Sequence, residues 1–175
     1  MPNWRKWNTN TKRTKINLSL KQLNIDFWLF MKIYLGLGSN LGNKRLNILR
    51  AIEMINEEIG TVSVSSSFFE SKPWHFSSDE MFINAVVEAN TQLSPEELLD
   101  ACKDMEKKMG RVKTKENEYE DRLIDLDILF YGNQTVNTER LTIPHETIEE
   151  RDFVIIPMAE IAPDFVHPVL GKSIK

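Results

Sequence analysis

FINAVVEANTQLSPEELLDACKDMEKKM, residues 82–109, is the stretch that decides the fold. Its first ten residues, 82–91, are apolar and rich in β-branched side chains, at the length of a strand. After Gln92 and Leu93 comes Ser94-Pro95-Glu96-Glu97, a capping box with proline at the first helical position, so a helix should run to Met109. Toward the N-terminus, residues 71–80 hold Pro73 and three serines and read as a loop, and residues 61–70 (Val62, Val64, Phe68, Phe69) are β-rich. Before them Leu46, Leu49, Ile52 and Ile55, with Ile48, Ala51 and Ile59, have helical spacing, and Gly60 offers a stop. Ile33, Leu35 and Leu37 alternate with Tyr34 and Gly36 in a strand over 32–38, ended by a turn at Gly38-Ser39-Asn40-Leu41-Gly42 that Asn40 caps or braces. Toward the C-terminus, residues 110–122 are polar, charged and read as a mobile loop. Residues 124–131 form a strand, which Gly132-Asn133 turns into a short partner around Thr135-Val136. Pro144 marks an extended segment, and 153–161 is a short last helix stopped by Pro163. The order β-α-β-β-α-β, with additions and no internal repeat, predicts an α+β fold: a ferredoxin-like mixed or antiparallel sheet with helices packed on it.

The 175 residues fit one domain with a tail. One cysteine, Cys102, excludes a disulfide framework, and no Cys/His cluster has zinc spacing. No apolar stretch reaches the roughly 20 residues a membrane helix needs. The net charge of −4 is unevenly spread. Residues 1–30 carry six basic side chains and one acid, whereas residues 31–175 carry 16 basic and 25 acidic ones. The first 30 residues, with Trp4, Trp7 and Trp28, read as an unfolded arm. Their apolar run 27–31 is too short for a secretory signal and lacks a small-residue cleavage site, and one serine is few for a transit peptide. The expectation is a domain of residues 31–175 starting at Met31, cytoplasmic and monomeric, with residues 1–30 a disordered or non-native extension.

The chemistry concentrates at Asp125-Leu126-Asp127. In a strand these two carboxylates share one face, about 7 Å apart along the backbone, while Leu126 and Ile128 point into the core. Paired carboxylates on a core strand call for a positive partner. Oxygen ligands of this kind suit Mg²⁺, which keeps waters and takes substrate phosphates, and two such ions can clamp a phosphoryl displacement. The alternative is a solvated aspartate or a pair with Arg122. Around this point Arg111, Lys113 and Arg122 bracket the polar loop, and Arg140, Thr142, His145 and Arg151 follow, enough guanidinium forks to cradle a triphosphate. Gly36-Leu-Gly38-Ser-Asn-Leu-Gly42 is spaced unlike a dinucleotide fingerprint and there is no P-loop, so these glycines read as backbone requirements. Trp74 and His75 could cover a planar ligand; Cys102 and His167 receive no role.

From Met31 on, the chain resembles the 6-hydroxymethyl-7,8-dihydropterin pyrophosphokinase family of folate biosynthesis. Three ordered segments carry the likeness: Tyr34–Gly42, Asp121-Arg122-Leu-Ile-Asp125-Leu-Asp127-Ile-Leu, and Arg140-Leu-Thr142-Ile-Pro-His145. The resemblance implies transfer of the β,γ-pyrophosphate of ATP to the pterin hydroxymethyl group, with release of AMP. It implies that Asp125 and Asp127 hold two Mg²⁺, that Asn84 bonds the pterin edge with Ser71, Lys72 and Trp74 nearby, and that Phe82 and Phe153 sandwich the ring. Arg111, Lys113, Arg122, Arg140, His145 and Arg151 would contact phosphates, and Lys103, Glu106, Ile128 and Thr142 would line the adenosine site. The loop 110–122 would close over both substrates. The chain departs from the pattern in having Glu120-Asp121 where Gly-Pro is usual, Tyr119 for a lid tryptophan, and Lys72 for a proline; a further helix would be expected after Lys175. Two rivals are a non-catalytic nucleotide or pterin regulator, which the intact D-x-D and arginine set oppose, and a nucleic-acid-binding sheet, which the acidic domain opposes.

Overall fold

The computed structural model describes residues 30–111 and 120–174. Most of the N-terminal arm, Lys113, Tyr119 and most of the anticipated lid therefore lie outside the described residues. Five strands make the main sheet: β1 (Met31–Ser39), β2 (Gly60–Ser65), β3 (Phe69–Ser71), β4 (Phe82–Thr91) and β5 (Asp125–Tyr131). Its order is β2-β4-β1-β5, with β3 beside β4, and every pairing is antiparallel. The expected ferredoxin-like sheet is thus present, in its antiparallel form.

Alternation along β1 divides the molecule. Ile33, Leu35 and Leu37 face one side and join a core with Ile48, Ala51 and Ile55 of α1 (Lys44–Glu58) and with Leu98, Cys102 and Met105 of α2 (Pro95–Lys108). Asn43 caps α1 by accepting from the Leu46 N–H at 3.2 Å, and Ser94 and Glu97 form the anticipated capping box on α2. Tyr34 faces the other side, where it meets Phe130, Val86 and α3 (Asp152–Ile161) through Val154 and Met158.

Three local features go beyond the sequence reading. α1 stops just before Gly60, as expected, and Gly60 itself opens β2. A Cβ there would collide with the Asn90 carbonyl oxygen, so close backbone approach is what requires glycine. The short strand after Gly132, β6 (Val136–Asn137), pairs with β7 (Thr142–Ile143) and not with β5, and an isolated Tyr131–Gln134 bridge closes the turn before it. A 3₁₀ turn at Ile148–Glu150, which no sequence signal announced, follows the cis Ile143–Pro144 peptide.

The β1–β5 register slips by one residue: Leu35 pairs with Ile128 and Tyr34 with Phe130, leaving Leu129 as a bulge. Asp125 and Asp127 therefore keep to the α3 side while Leu126 and Ile128 enter the α1/α2 core, as alternation requires. Past the bulge, Leu129 and Phe130 both pack under α3.

Candidate functional site

The site is assembled by sheet register. Gly38 on the central strand pairs with Asn84 on one side and Asp125 on the other, and Gly36 pairs with Asp127. A Cβ at Gly38 would come 3.2 Å from Asn84 Oδ1 and 3.9 Å from the Asp125 Cβ. The glycines of the first strand thus form the floor on which the amide and the carboxylates stand. Above them opens a cavity of about 470 Å³, within the range of small-ligand sites.

Each aspartate holds an arginine. Arg111 Nη1 lies 2.5 Å from Asp125 Oδ1 and Arg122 Nε lies 3.4 Å from Asp125 Oδ2. Arg151 Nη1 lies 2.9 Å from Asp127 Oδ2, and His145 Nε2 stands 3.9 Å from Asp127 Oδ1. Two of these guanidinium groups also cover aromatic rings: Arg122 sits 5.4 Å above Phe82, and Arg151 sits 5.8 Å from Phe153 and 4.4 Å above Trp74. Two similar units result, Asp125–Arg122–Phe82 and Asp127–Arg151–Phe153. Asn84 is oriented by its amide, which donates to Ser71 Oγ at 3.0 Å and to the Phe69 carbonyl at 3.1 Å.

Glu106 of α2 closes the back of the site. It is buried, accepts the Leu126 N–H at 2.8 Å and pairs with Arg111. Burial first, and the charge of Asp125 second, push its carboxyl up to about 7. Loss of solvent would raise Asp125 too, but Arg122 and Arg111 outweigh it and hold that carboxyl below its ordinary value. Asp127 is pushed up, by loss of solvent and then by the neighbouring Asp125, against the pull of His145 and Arg151. Two carboxylates this close resist ionising together until more positive charge arrives.

The donor set fits Mg²⁺. Among the described residues no group of three or more His, Cys, Asp or Glu side chains is placed to enclose a metal ion. One or two carboxylates, with waters and phosphate oxygens completing the sphere, are how Mg²⁺ is held beside a nucleotide. The Nε atoms of Arg111 and Arg151 are buried without a hydrogen-bond partner among the described residues, and both arginines line the cavity, where anionic oxygens can satisfy them.

Most of the expected site residues meet here. Asp125, Asp127, Arg111, Arg122, His145 and Arg151 line the cavity as a charged wall; Lys103 and Glu106 line it from α2; Ser71, Lys72, Trp74, Phe82, Asn84 and Phe153 line it as a largely aromatic wall. Three do not. Ile128 is buried in the α1/α2 core, and Thr142 lies in β7 outside the cavity. Arg140 is 53% exposed and pairs with Glu96 and Asp100 on the outside of α2. Engaged there, Arg140 does not line the cavity. Cys102, which no neighbour in sequence marks for a role, also lines the cavity. Burial, then the charges of Glu106 and Asp127, push its thiol up to about 12, so it is inert at neutral pH.

A family model described as 7,8-dihydro-6-hydroxymethylpterin-pyrophosphokinase (HPPK) matches residues 34–163. The 2-amino-4-hydroxy-6-hydroxymethyldihydropteridine pyrophosphokinase of Aquifex aeolicus is 42% identical over 144 residues, covering 82% of this chain and 88% of that one. The folic acid synthesis protein fol1 of Pneumocystis carinii is 46% identical over 142 residues, 81% of this chain, which spans only 19% of that longer protein. The solved Plasmodium falciparum HPPK-DHPS with pteroate shares the fold, with a TM-score of 0.68, 17% identity, and coverage of 83% of this chain and 41% of that one. The chain belongs to the 7,8-dihydro-6-hydroxymethylpterin-pyrophosphokinase family, and is an ATP-dependent pyrophosphokinase of folate biosynthesis.

Proposed function

We propose that this pocket binds 6-hydroxymethyl-7,8-dihydropterin between Phe82 and Phe153, with its polar edge on Asn84, and aligns it with the triphosphate of ATP. The pterin hydroxyl oxygen attacks the β-phosphorus, the bond from that phosphorus to the α–β bridging oxygen breaks, and AMP leaves, the hydroxyl proton being released. Asp125 and Asp127 would hold two Mg²⁺ ions, which would supply charge neutralisation at the triphosphate and Lewis-acid activation of the hydroxyl. The remaining work belongs to this chain's own side chains. Arg111, Arg122 and Arg151 offer guanidinium forks to the phosphate oxygens, His145 lies beside Asp127, and Lys103 and Glu106 face the nucleoside. Such a transfer depends on positioning and charge neutralisation more than on covalent catalysis. Lys113, outside the described residues, would add a further cation for the phosphates.

The observation that carries this reading is the junction of two differently built walls. An aromatic, amide-edged wall suited to a flat heterocycle meets a wall of two carboxylates and three arginines suited to a metal-bound triphosphate, and Gly36 and Gly38 hold the two together. The domain is taken to start at Met31 and to work as a monomer in the cytoplasm, where its ATP is supplied.

The test is a single assay with ATP, Mg²⁺ and the hydroxymethyl-dihydropterin, following AMP. AMP and the pterin diphosphate should appear in equal amounts and only when all three are present. ADP as the nucleotide product, or tight binding of both substrates without AMP, would overturn the reading.

A further inference from the structure

Asn40 makes more contacts than capping a turn requires. It directly follows β1 and is 0% exposed. Its side-chain Oδ1 accepts the Arg122 N–H at 2.7 Å, and its own N–H donates to the Arg122 carbonyl at 3.1 Å. One residue, 82 positions away in sequence, therefore grips both sides of the Arg122 backbone. The amide Nδ2 donates to Asp121 Oδ1 at 2.5 Å and reaches the Glu80 carbonyl at 3.4 Å. The orientation of the amide follows from its neighbours, because only an oxygen can face the Arg122 N–H and only the NH₂ can face a carboxylate.

What these bonds hold is the position of one guanidinium group. Arg122 leaves the clamped backbone to lie between Asp125, at 3.4 Å, and the ring of Phe82, at 5.4 Å. Like Arg151 in the other unit, it spans from the carboxylate wall to the aromatic wall. Glu80, which Asn40 also touches, stands two residues before Phe82 and is tied by its carboxylate to Lys44 at 2.9 Å. A single buried amide thus fixes the end of the polar loop that carries Arg122 and the start of the strand that carries Phe82 and Asn84. Buried polar groups with every bond made act as rigid points, and catalytic geometry tolerates little error.

We propose that Asn40 is a positioning residue for pyrophosphoryl transfer, acting through Arg122, with Asp121 as its partner. The proposal rests on the reading of the pocket given above. Asn40→Asp keeps an acceptor for the Arg122 N–H but turns the Asp121-facing donor into an oxygen, placing two carboxylates together. Its kcat should fall at least tenfold. Adding Asp121→Asn restores a donor–acceptor pair between the two positions and should recover most of the loss.

The decisive measurement is a double-mutant cycle. Introduced into Arg122→Ala, Asn40→Asp should lower kcat less than twofold, since the group it positions is already gone. An equal loss in both backgrounds would overturn the proposal, as would an unchanged kcat in Asn40→Asp alone. Should Asn40→Asp not fold, Asp121→Ala removes one bond only. It should cost about threefold in the wild type and nothing further in Arg122→Ala, and an equal cost in both would overturn the proposal. A readout without substrate separates this proposal from the reading of the reaction. The Arg122 Nε–H resonance of the ligand-free protein feels the Phe82 ring and should move in Asn40→Asp. If the wild type forms no AMP, the assigned reaction fails, and an unmoved resonance would sink the positioning role as well.

Discussion

The two faces of the sheet are built from the same strands to opposite ends. Under α1 and α2, the side chains of β1 are Ile33, Leu35 and Leu37, all buried in an apolar core. On the opposite face, β1 shows Tyr34, then Gly36, whose space Leu129 fills, and Gly38, beside which stand Asn84, Phe82 and Asp125. The first face supplies cohesion and the second supplies chemistry. The second keeps an apolar core of its own under α3 and carries its costly groups beyond it. Unsatisfied charge and imperfect packing are concentrated at one end of one face, where substrate can complete them.

The contrast can be broken by experiment, and the largest effect is expected at the carboxylates. Asp127→Ala or Asp125→Ala should lower turnover by at least about 10³-fold, more than one preorganised donor supplies, with the melting transition little changed. Near-normal turnover in either variant would remove the pair from the mechanism. On the opposite face, Leu35→Ala should do the reverse. It should cost about 2–5 kcal/mol of stability in denaturant unfolding, while the protein still folded keeps its kcat. A variant that stayed fully stable but lost activity would show that the two faces are not separable in this way.

The boundary between the faces is tested more gently by Gly38→Ala. Its added methyl meets Asn84 Oδ1 at 3.2 Å, so the amide must yield. The KM for the pterin should rise several-fold, on the order of 1 kcal/mol, with ATP binding unchanged, and isothermal titration with each substrate can show the split. A change in ATP affinity alone would place the floor under the other substrate.

The smallest effect is a pH dependence of stability on the α3 side. His167 is buried, packs edge-on against Phe130, and accepts the Val169 and Leu170 N–H groups at Nδ1, both at 3.3 Å. Burial depresses its folded-state pKa below the ordinary histidine value, against a smaller upward pull from Glu149. The unfolded chain therefore takes the proton first as the pH falls. His167 contributes stability above about 6.5, and this is lost as the pH drops through the lower folded value. His167→Asn should flatten the unfolding midpoint between pH 7 and pH 5 relative to the wild type. Parallel curves for the two would refute the assignment.

Much of this arrangement was legible in the sequence, for physical reasons that also explain what was not. Strand and helix positions follow from local periodicity and capping, so Phe82–Thr91 and the helix after Ser94 stand where the pattern places them. Asp125 and Asp127 share a face because alternation is a property of the strand itself. Register is not local. Nothing near Gly38 announces Asn84 and Asp125 as its neighbours, although two glycines on one face of an otherwise apolar strand are a usable sign of a floor. The partner of β6 and the outward turn of Arg140 depend on contacts across the chain, as does the grip of Asn40 on Arg122. The wording of the motif carried Arg140 and Thr142 toward the phosphates, whereas in the structure Arg140 pairs with Glu96 and Asp100 on the exposed side of α2.

The extra residue in β5 has a consequence for how this strand could change over time. Pairing resumes in step on both sides of Leu129, with Ile128 opposite Leu35 and Phe130 opposite Tyr34. Removal of Leu129 would close the bulge and leave Asp125, Asp127 and Tyr131 each against its present partner. The loss would be the side chain that fills the space above Gly36, whose Cδ2 would lie 3.4 Å from a methyl group placed on that glycine. At this one point the strand can be lengthened or shortened by a residue without inverting either face. Asp125 and Asp127 are thereby insulated from a class of insertions and deletions that would turn a regular β-strand inside out.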